Sequence, residues 1–598
     1  MSAPDWKEVL PVPPPGARLR EAWFTSFEQP DAGLLVEHLL PALLGASHSL
    51  TQEPQENKLF FGELGTALEA LHGRLTVISS PPREAREASQ YPWLWRYINH
   101  FTVGAKSHAV QHAKFWAFHW TSSDEELIEL HVSSTNLTAS AFKAQVQAGW
   151  QVLLPLGQRT SANTLRSWRD LIPFLEALGA SAGEVATTRI ERLVTLLGRV
   201  QCPADVTFVA SIPGERSAAR KLKQFEASEI HVLTPTIGEW NERTLTAWSR
   251  DVGVAAGKTH LKWISTKHPW VVTSGWALST AASEALEVNG VQLECISSEA
   301  RFTQQHRDAD QRWSHAKLYL FRSGRKYRLL VTSANWSPSA WGAGKASPRN
   351  FELGVIFESE WTDLEALGEP FDPPDTVPFC VDRVEDDAHA YALEWGEASW
   401  DGKHIQLRAR SSDPSLPVSA IVTFTGGSEK RVRLVDGAST MPWKDPTHTP
   451  LTARFTQGSG SLEVHVLDLR PPAEFAKTPL PEIDPAVAAA LREAFLLQRY
   501  GGPVVDAESI PGLGGASRPP SVAAPTADYS VQAWLEARAA FHVIDQWRAA
   551  LEKAKNDPFL LERVRLDGEE LRALFARLGG AAAVLAVEEL GWRLDEER

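Results

Sequence analysis

Two short stretches of this chain carry the same set of reactive side chains. In the first, QHAKFWAF sets His112 and Lys114 two residues apart, ELHVSSTNLTASAF then brings Asn136, and QAGWQVLLPL brings Gln147. In the second, WSHAKLYLF holds His315 and Lys317, VTSANWSPSAWG holds Ser333 and Asn335, and NFELGVIF holds Glu352. Residues i and i+2 of a strand point to one side, so each pair is expected to present imidazole and ammonium together. Lys and Asn can hold phosphoryl oxygens, while His can attack phosphorus or move a proton. A carboxylate beside one His would orient it and favour its charged, proton-donating form, a part expected here of Glu352 towards His315. A lone His-x-Lys arises by chance in most chains of this length. A doubled His-x-Lys…(Ser/Thr)-x-Asn unit, with about two hundred residues between copies, predicts two similar α/β sandwich halves with one site between them.

The doubled pattern resembles the phospholipase D superfamily. Most of its members place an Asp after four further residues, where this chain has His119 and Arg322. That departure in both copies resembles the tyrosyl-DNA phosphodiesterase branch. VTSANWSPSAWG, NFELGVIF, and STNL followed by Gln147 eleven residues after its Asn are similar to the motifs of that branch. The similarity runs from about residue 20 to 360 and is specific around the two motifs. It implies a metal-independent phosphodiesterase acting on nucleic acid, either clearing adducts from DNA 3′ ends or cutting strands as a nuclease. The residues themselves are nearly symmetric about which histidine attacks. The resemblance implies His112 as nucleophile, forming a phosphohistidine, and His315 as general acid and base. Lys114, Lys317, Asn136, Asn335 and Ser333 would then bind substrate, with Gln147 and Glu352 completing the set. Two other readings share these residues. One is a lipid phosphodiesterase, against which stand the missing Asp residues and the lack of a membrane-binding stretch. The other is a non-catalytic nucleic-acid-binding scaffold, against which stands the complete set of site residues.

The elements that must position these residues can be read along the chain. At 598 residues it exceeds a single core, and about three or four domains are expected. A formal charge of −14 excludes a uniformly basic nucleic-acid coat. Residues 301–350 nevertheless hold ten Lys and Arg against Asp308 and Asp310, net +8, which suits a polyanion or gives only a solvated basic face. The three cysteines, Cys202, Cys295 and Cys380, are far apart and make neither a disulfide framework nor a zinc set. His108, His112 and His119 fall in a loop-to-strand stretch without ligand spacing, so no metal and no cofactor is expected. The N-terminus has no signal pattern and no apolar run of about 18 residues occurs, so the expected location is cytoplasmic and no membrane partner is expected.

Residues 1–19 read as an extension and 20–200 as the first half. There, Asp31 precedes LLVEHLLPALLG, with Leu34, Leu35, His38, Leu39 and Leu43 on one face before Gly45, and a helical connector follows over 163–200. The second half, 201–371, alternates strands such as TFVASIP, EIHVLTPTIG and Trp270–Val272 with helices, including SAARKLKQF. Trp116, Trp120, Trp150, Trp313, Trp336 and Trp341 flank the motifs, where some could stack on bases and at least half should be core. Turn-forming residues at 372–375 precede period-2 runs over 376–475, the pattern of a β-sandwich accessory domain. A helical segment (476–506), a Pro/Gly/Ala/Ser-rich linker (507–528) and a helical C-terminal domain (529–598) complete the chain. In the last, Val531, Trp534, Leu535 and Phe541 form one stripe and Leu571, Leu574, Phe575 and Leu578 another. Protein partners would dock on these C-terminal domains.

Overall fold

The computed structural model describes all residues except 1–5, 83–89, 106–108, 123–124, 265–277, 297–312, 371–392, 414, 446, 476–484, 503–528, 579–580 and 597–598. His108, Trp270–Val272, Cys380, the 372–375 boundary and the 507–528 linker thus lie outside the described residues. The chain is mixed α/β, with several sheets and helices. It divides into two compact units: residues 1–38 with 74–467, and residues 39–73 with 468–598.

The first unit contains two sheets with the same wiring. In one, Ile98–Thr102, Leu75–Ser79 and Arg18–Ser26 run parallel, and the antiparallel Lys114–Thr121, Glu126–Ser133 and Gly149–Pro155 continue the order. In the other, Gln292–Ile296, Thr259–Ile264 and Glu229–Thr234 run parallel, followed by the antiparallel Leu318–Ser323, Lys326–Thr332 and Asn350–Glu358. The central strands are buried on both faces, which is why they read as nearly unbroken apolar runs such as LLVT and FELGVIF. The hairpin after Lys317 turns at Gly324, whose φ of +62° is open to glycine without strain. Helices Leu171–Ala182 and Glu184–Leu197 form the connector, with Leu171, Phe174, Ile190 and Leu193 buried at the expected spacing. SAARKLKQF, expected as one helix, makes only Ala219–Leu222 and a tighter turn, Lys223–Phe225, ended by Glu226 in the left-handed region at φ +48°.

Seven strands between Leu393 and Asp468 hydrogen-bond in one order, with Glu429–Arg433 and Ala438–Pro442 at the edges. Leu434, beside one edge, and Met441, on the other, share a core with Trp400, Ile405, Val422 and Phe455, so the sheet curls on itself. Trp395 Nε1 donates to the Thr102 carbonyl at 3.1 Å and Trp95 stacks on His465 at 4.3 Å, tying this sheet to the six-stranded one.

The second unit is helical. Asp31 caps the helix that enters it, its Oδ1 accepting from Gly33 N and Leu34 N, and Gly45 closes that run at φ +62°. Pro54–Ala70 packs against Pro485–Arg499, which packs against Pro558–Leu578, and that helix packs with Tyr529–Ala554 and Ala581–Glu596. Helices drawn from the stretch read as the first half therefore belong with the C-terminal ones. Of the expected stripe, the side chains of Val531, Trp534 and Leu535 lie outside what is described; Phe541 is exposed, and Val543, Ile544, Trp547 and Leu551 make the core face there. Arg538, which interrupts the expected stripe, is exposed as well. Among the described residues no helix is long and apolar enough to cross a membrane.

Candidate active site

Both histidines reach the site just ahead of a long strand rather than on it. The long strands begin at Lys114 and Leu318, and each preceding segment pairs elsewhere. Val110–Gln111 runs parallel to the start of Asn350–Glu358, and His112 N donates to the Phe351 carbonyl at 3.0 Å. Trp313–Ser314 runs parallel to Gln145–Val146, and His315 N donates to the Val146 carbonyl at 2.9 Å. Each histidine is thus fixed by backbone from the other copy of the motif. The two lysines fold back over their own histidines: Lys114 Nζ donates to the His112 carbonyl at 2.7 Å and Lys317 Nζ to the His315 carbonyl at 2.9 Å.

This crossing decides which partner each imidazole receives. Glu352 lies against His112, with His112 Nδ1 2.9 Å from both carboxylate oxygens, so the expectation that it serves His315 is corrected. Ser333 Oγ donates to Glu352 Oε2 at 2.5 Å and Asn350 Nδ2 to Oε1 at 3.1 Å. Burial alone would raise the Glu352 pKa. The charge and hydrogen bond of His112, with Lys114 and Ser333, outweigh it and hold the group below the usual carboxylate range. An ionised carboxylate only accepts, so Nδ1 of His112 carries a proton and Nε2 of the neutral ring keeps its lone pair. Phe27 meets the ring edge-on at 4.9 Å and also lies under Lys114 Nζ at 5.5 Å.

His315 sits differently. Its Nδ1 donates to the Ser134 carbonyl at 3.1 Å, and its Nε2 lies 2.8 Å from the Lys317 ammonium. Part of its surface meets solvent, but the protein packed around it is the leading cause that pushes its pKa well below the ordinary value. Lys317, Lys114 and His112 push the same way, against the Ser134 carbonyl. These surroundings therefore favour the neutral ring in the free site, against the charged form expected. Gln147 acts on it at one remove, its Oε1 accepting from Ser134 Oγ at 2.6 Å.

The remaining members complete a cationic pocket. Lys114 and Lys317 are 1% and 0% exposed. Asn136 is oriented by Phe27 N, which donates to its Oδ1 at 3.1 Å, so its amide donors face away from that contact. Asn335 is buried and its Oδ1 makes no hydrogen bond, the condition of a polar group kept for a ligand. Ser134 escaped the sequence reading, although laying the two Ser-x-Asn copies over each other sets it opposite Ser333. Phe27 left no such signal.

Only part of the basic stretch lies among the described residues. Arg301, Arg307 and Arg312 lie outside the described residues. Arg325 and Lys326 are exposed at the hairpin turn, at the opposite end of their strands from Lys317. Arg322 lies by Glu229 and Glu365 at 3.6 and 3.8 Å. Of the tryptophans, Trp116, Trp120, Trp336 and Trp341 are core, and Trp150 is half-buried against Phe208. The Trp313 side chain is outside what is described.

Residues 248–394 match the family described as Tyrosyl-DNA phosphodiesterase, a span holding His315, Lys317, Ser333, Asn335 and Glu352. Among solved structures, a mutant of the yeast tyrosyl-DNA phosphodiesterase is 18% identical over 63% of this chain and 92% of its own, with a TM-score of 0.38. The unmutated yeast protein is 16% identical over 60% of this chain and 88% of its own, with a TM-score of 0.34. A polyphosphate kinase from Porphyromonas gingivalis is 10% identical over 58% and 44%, with a TM-score of 0.27. No curated protein matches the chain. Over residues 248–394, the chain is similar to the tyrosyl-DNA phosphodiesterase family, whose name is that of a phosphodiester hydrolase.

Proposed function

We propose that the protein hydrolyses phosphodiesters of DNA, removing groups joined to 3′ ends, through a phosphohistidine on His112. The observation that carries this reading is the contact between His112 Nδ1 and Glu352, which leaves Nε2 as the nucleophilic atom. In the first step Nε2 attacks phosphorus, the bond to the leaving oxygen breaks, and His315 gives that oxygen a proton. In the second, His315 takes a proton from water, the hydroxide attacks phosphorus and the P–N bond breaks, leaving a phosphate on the DNA. Lys114, Lys317, Asn136 and Asn335 hold the non-bridging oxygens through both steps.

His315 needs a proton that the free site does not give it. The lysine charges that depress its pKa are those a bound phosphate would neutralise, so substrate itself restores the acid. The family match supports the substrate class, and the four Lys and Asn side chains supply the charge stabilisation that a metal gives in other phosphodiesterases. The test is a panel of 3′-blocked, single-stranded and duplex oligonucleotides with EDTA present. Release of the 3′ group is expected, and His315→Ala should accumulate an adduct on His112 when the leaving group is a good one. Internal cleavage of unblocked strands alone would make the protein a nuclease instead. An adduct on His315 in His112→Ala would reverse the two roles.

A further inference from the structure

One face of the sheet that holds Glu229–Thr234 and Thr259–Ile264 turns from apolar to polar along its strands. Leu233, Ile296, Leu318 and Leu320 share a core on that face. Residues two apart on a strand share a face, so His231 and Glu229 continue the line from Leu233. Register sets His231 beside His260 on the neighbouring strand, and the rings stack at 4.5 Å. The tight turn Asp363–Ala366 covers this end, with Leu364 in the same core and Glu365 turned towards His231.

The donor atoms converge. Glu229 Oε1 lies 2.8 Å from His260 Nε2 and 3.4 Å from His231 Nε2, and Glu365 Oε1 lies 3.8 Å from the same His231 atom. One ligand atom from each of Glu229, His231 and His260 lies within 4.8 Å of the other two. A tetrahedral ion with bonds of about 2.0–2.1 Å holds its ligands about 3.3 Å apart, within the span of these distances. The second, independent observation is what the cluster leaves unmade. His231 is only 4% exposed, yet neither ring nitrogen makes a hydrogen bond, and Glu365 Oε1 is buried without one as well. Buried imidazole and carboxylate atoms in that state are rare in proteins unless a ligand completes them.

We propose that Glu229, His231 and His260, completed by Glu365, bind a first-row divalent transition ion of the zinc class. Two imidazoles with carboxylate oxygens are the borderline donors such ions prefer, whereas magnesium and calcium take oxygen alone. Arg322, 3.6 Å from Glu229 Oε2, lies beside the set and offsets part of its negative charge. The ion is structural. Glu229 pairs with Arg322 and Leu233 with Leu318, so the cluster sits several residues up the strand from Lys317, about 10–17 Å away. It would pin two strands and the covering turn without touching the phosphoryl group.

The full-length protein, stripped with a chelator and dialysed, is titrated with zinc chloride by calorimetry, with metal content read by mass spectrometry. A single equivalent should bind and raise the melting temperature, and cobalt(II) should give the visible absorption of a tetrahedral site. His260→Asn, at a half-buried position, should weaken zinc binding by about 100-fold or more while leaving the metal-free melting temperature near wild type. Glu229→Gln is the second variant, should His260→Asn fail to fold. Hydrolysis of a small diester should survive stripping, which separates this site from the histidine chemistry. No zinc uptake by the wild type, or equal affinity in wild type and both variants, would show a metal-free ion-pair cluster and overturn the assignment.

Discussion

At Glu352 one charge decides which nitrogen of His112 carries the proton. Glu352→Gln keeps the shape but loses the obligate acceptor, so the ring can settle in the tautomer whose Nε2 is blocked. The first step, read as the burst of aryl alcohol from a model diester, should slow by about 100-fold or more, with the protein still folded. An unchanged burst would mean that the carboxylate only fills space. His315 yields a second prediction. Because burial and then Lys317 hold its pKa down, it should be neutral at pH 7 in the free protein, and Lys317→Met should move its titration upward. Binding of vanadate should move it the same way. Imidazole nitrogen NMR checks both shifts, and a His315 already protonated at pH 7 in the free protein would sink the idea. The site residues named from the sequence were found through their repetition. Their pairing was hidden because spacing reports neighbours along the chain, whereas Glu352 reaches His112 through a parallel pairing with residues 240 positions away.

Among the elements, strand Leu393–Trp400 carries a buried carboxylate that no lysine or arginine neutralises fully. Glu397 lines a cavity of about 10 Å³ with His100, Thr102 and His465, and its Oε2 makes no hydrogen bond. Burial pushes its pKa up to about 7, against Arg408 and helped by Glu184. The folded state therefore binds more protons than the unfolded between pH 4.5 and 7, and stability falls as pH rises through that window. The loss amounts to about 3 kcal/mol by the upper end. Glu397→Gln should flatten this slope, as read from urea midpoints across that range. A wild-type midpoint that does not fall between pH 5 and 7 would refute it. Such a position is invisible in sequence, since Glu397 stands among strand residues like any solvent-facing polar one. The strands themselves were legible where apolar residues alternate, as at Ile405 and Leu407. Glu429–Arg433 and Ala438–Pro442 were harder, because edge strands expose most of their side chains.

For the whole molecule, the helical unit is held by more than apolar packing. Asp567 is buried and accepts from Arg499, Arg563 and the Tyr500 hydroxyl at 2.8, 2.7 and 2.7 Å. Asp567→Ala leaves two arginines without their anion and should destabilise this unit by about 3–5 kcal/mol, while hydrolysis of a small diester persists. Calorimetry with a parallel rate measurement checks it, and equal loss of both would show that the helices are needed for chemistry. Cutting the chain after 506 would divide the core of this unit. Leu496 and Tyr500 would lose Trp547, Leu571 and Phe575, which complete their core. That residues 39–73 belong to this unit could not be read from order along the chain. Amphipathic helices announce that they need a partner but not which one.

The exchange of short strands between the two motifs has a consequence for synthesis. His112 leaves the ribosome early, but the backbone that seats it and the carboxylate that aims it come some 240 residues later, at Phe351 and Glu352. A nascent chain holding only the first copy has an imidazole with no orienting partner, and the second copy by itself lacks the carbonyl that fixes His315. Activity therefore switches on once, late, when both ends of the exchange are present. Chemistry built on this exchange stays silent in every product that ends before the second copy is complete.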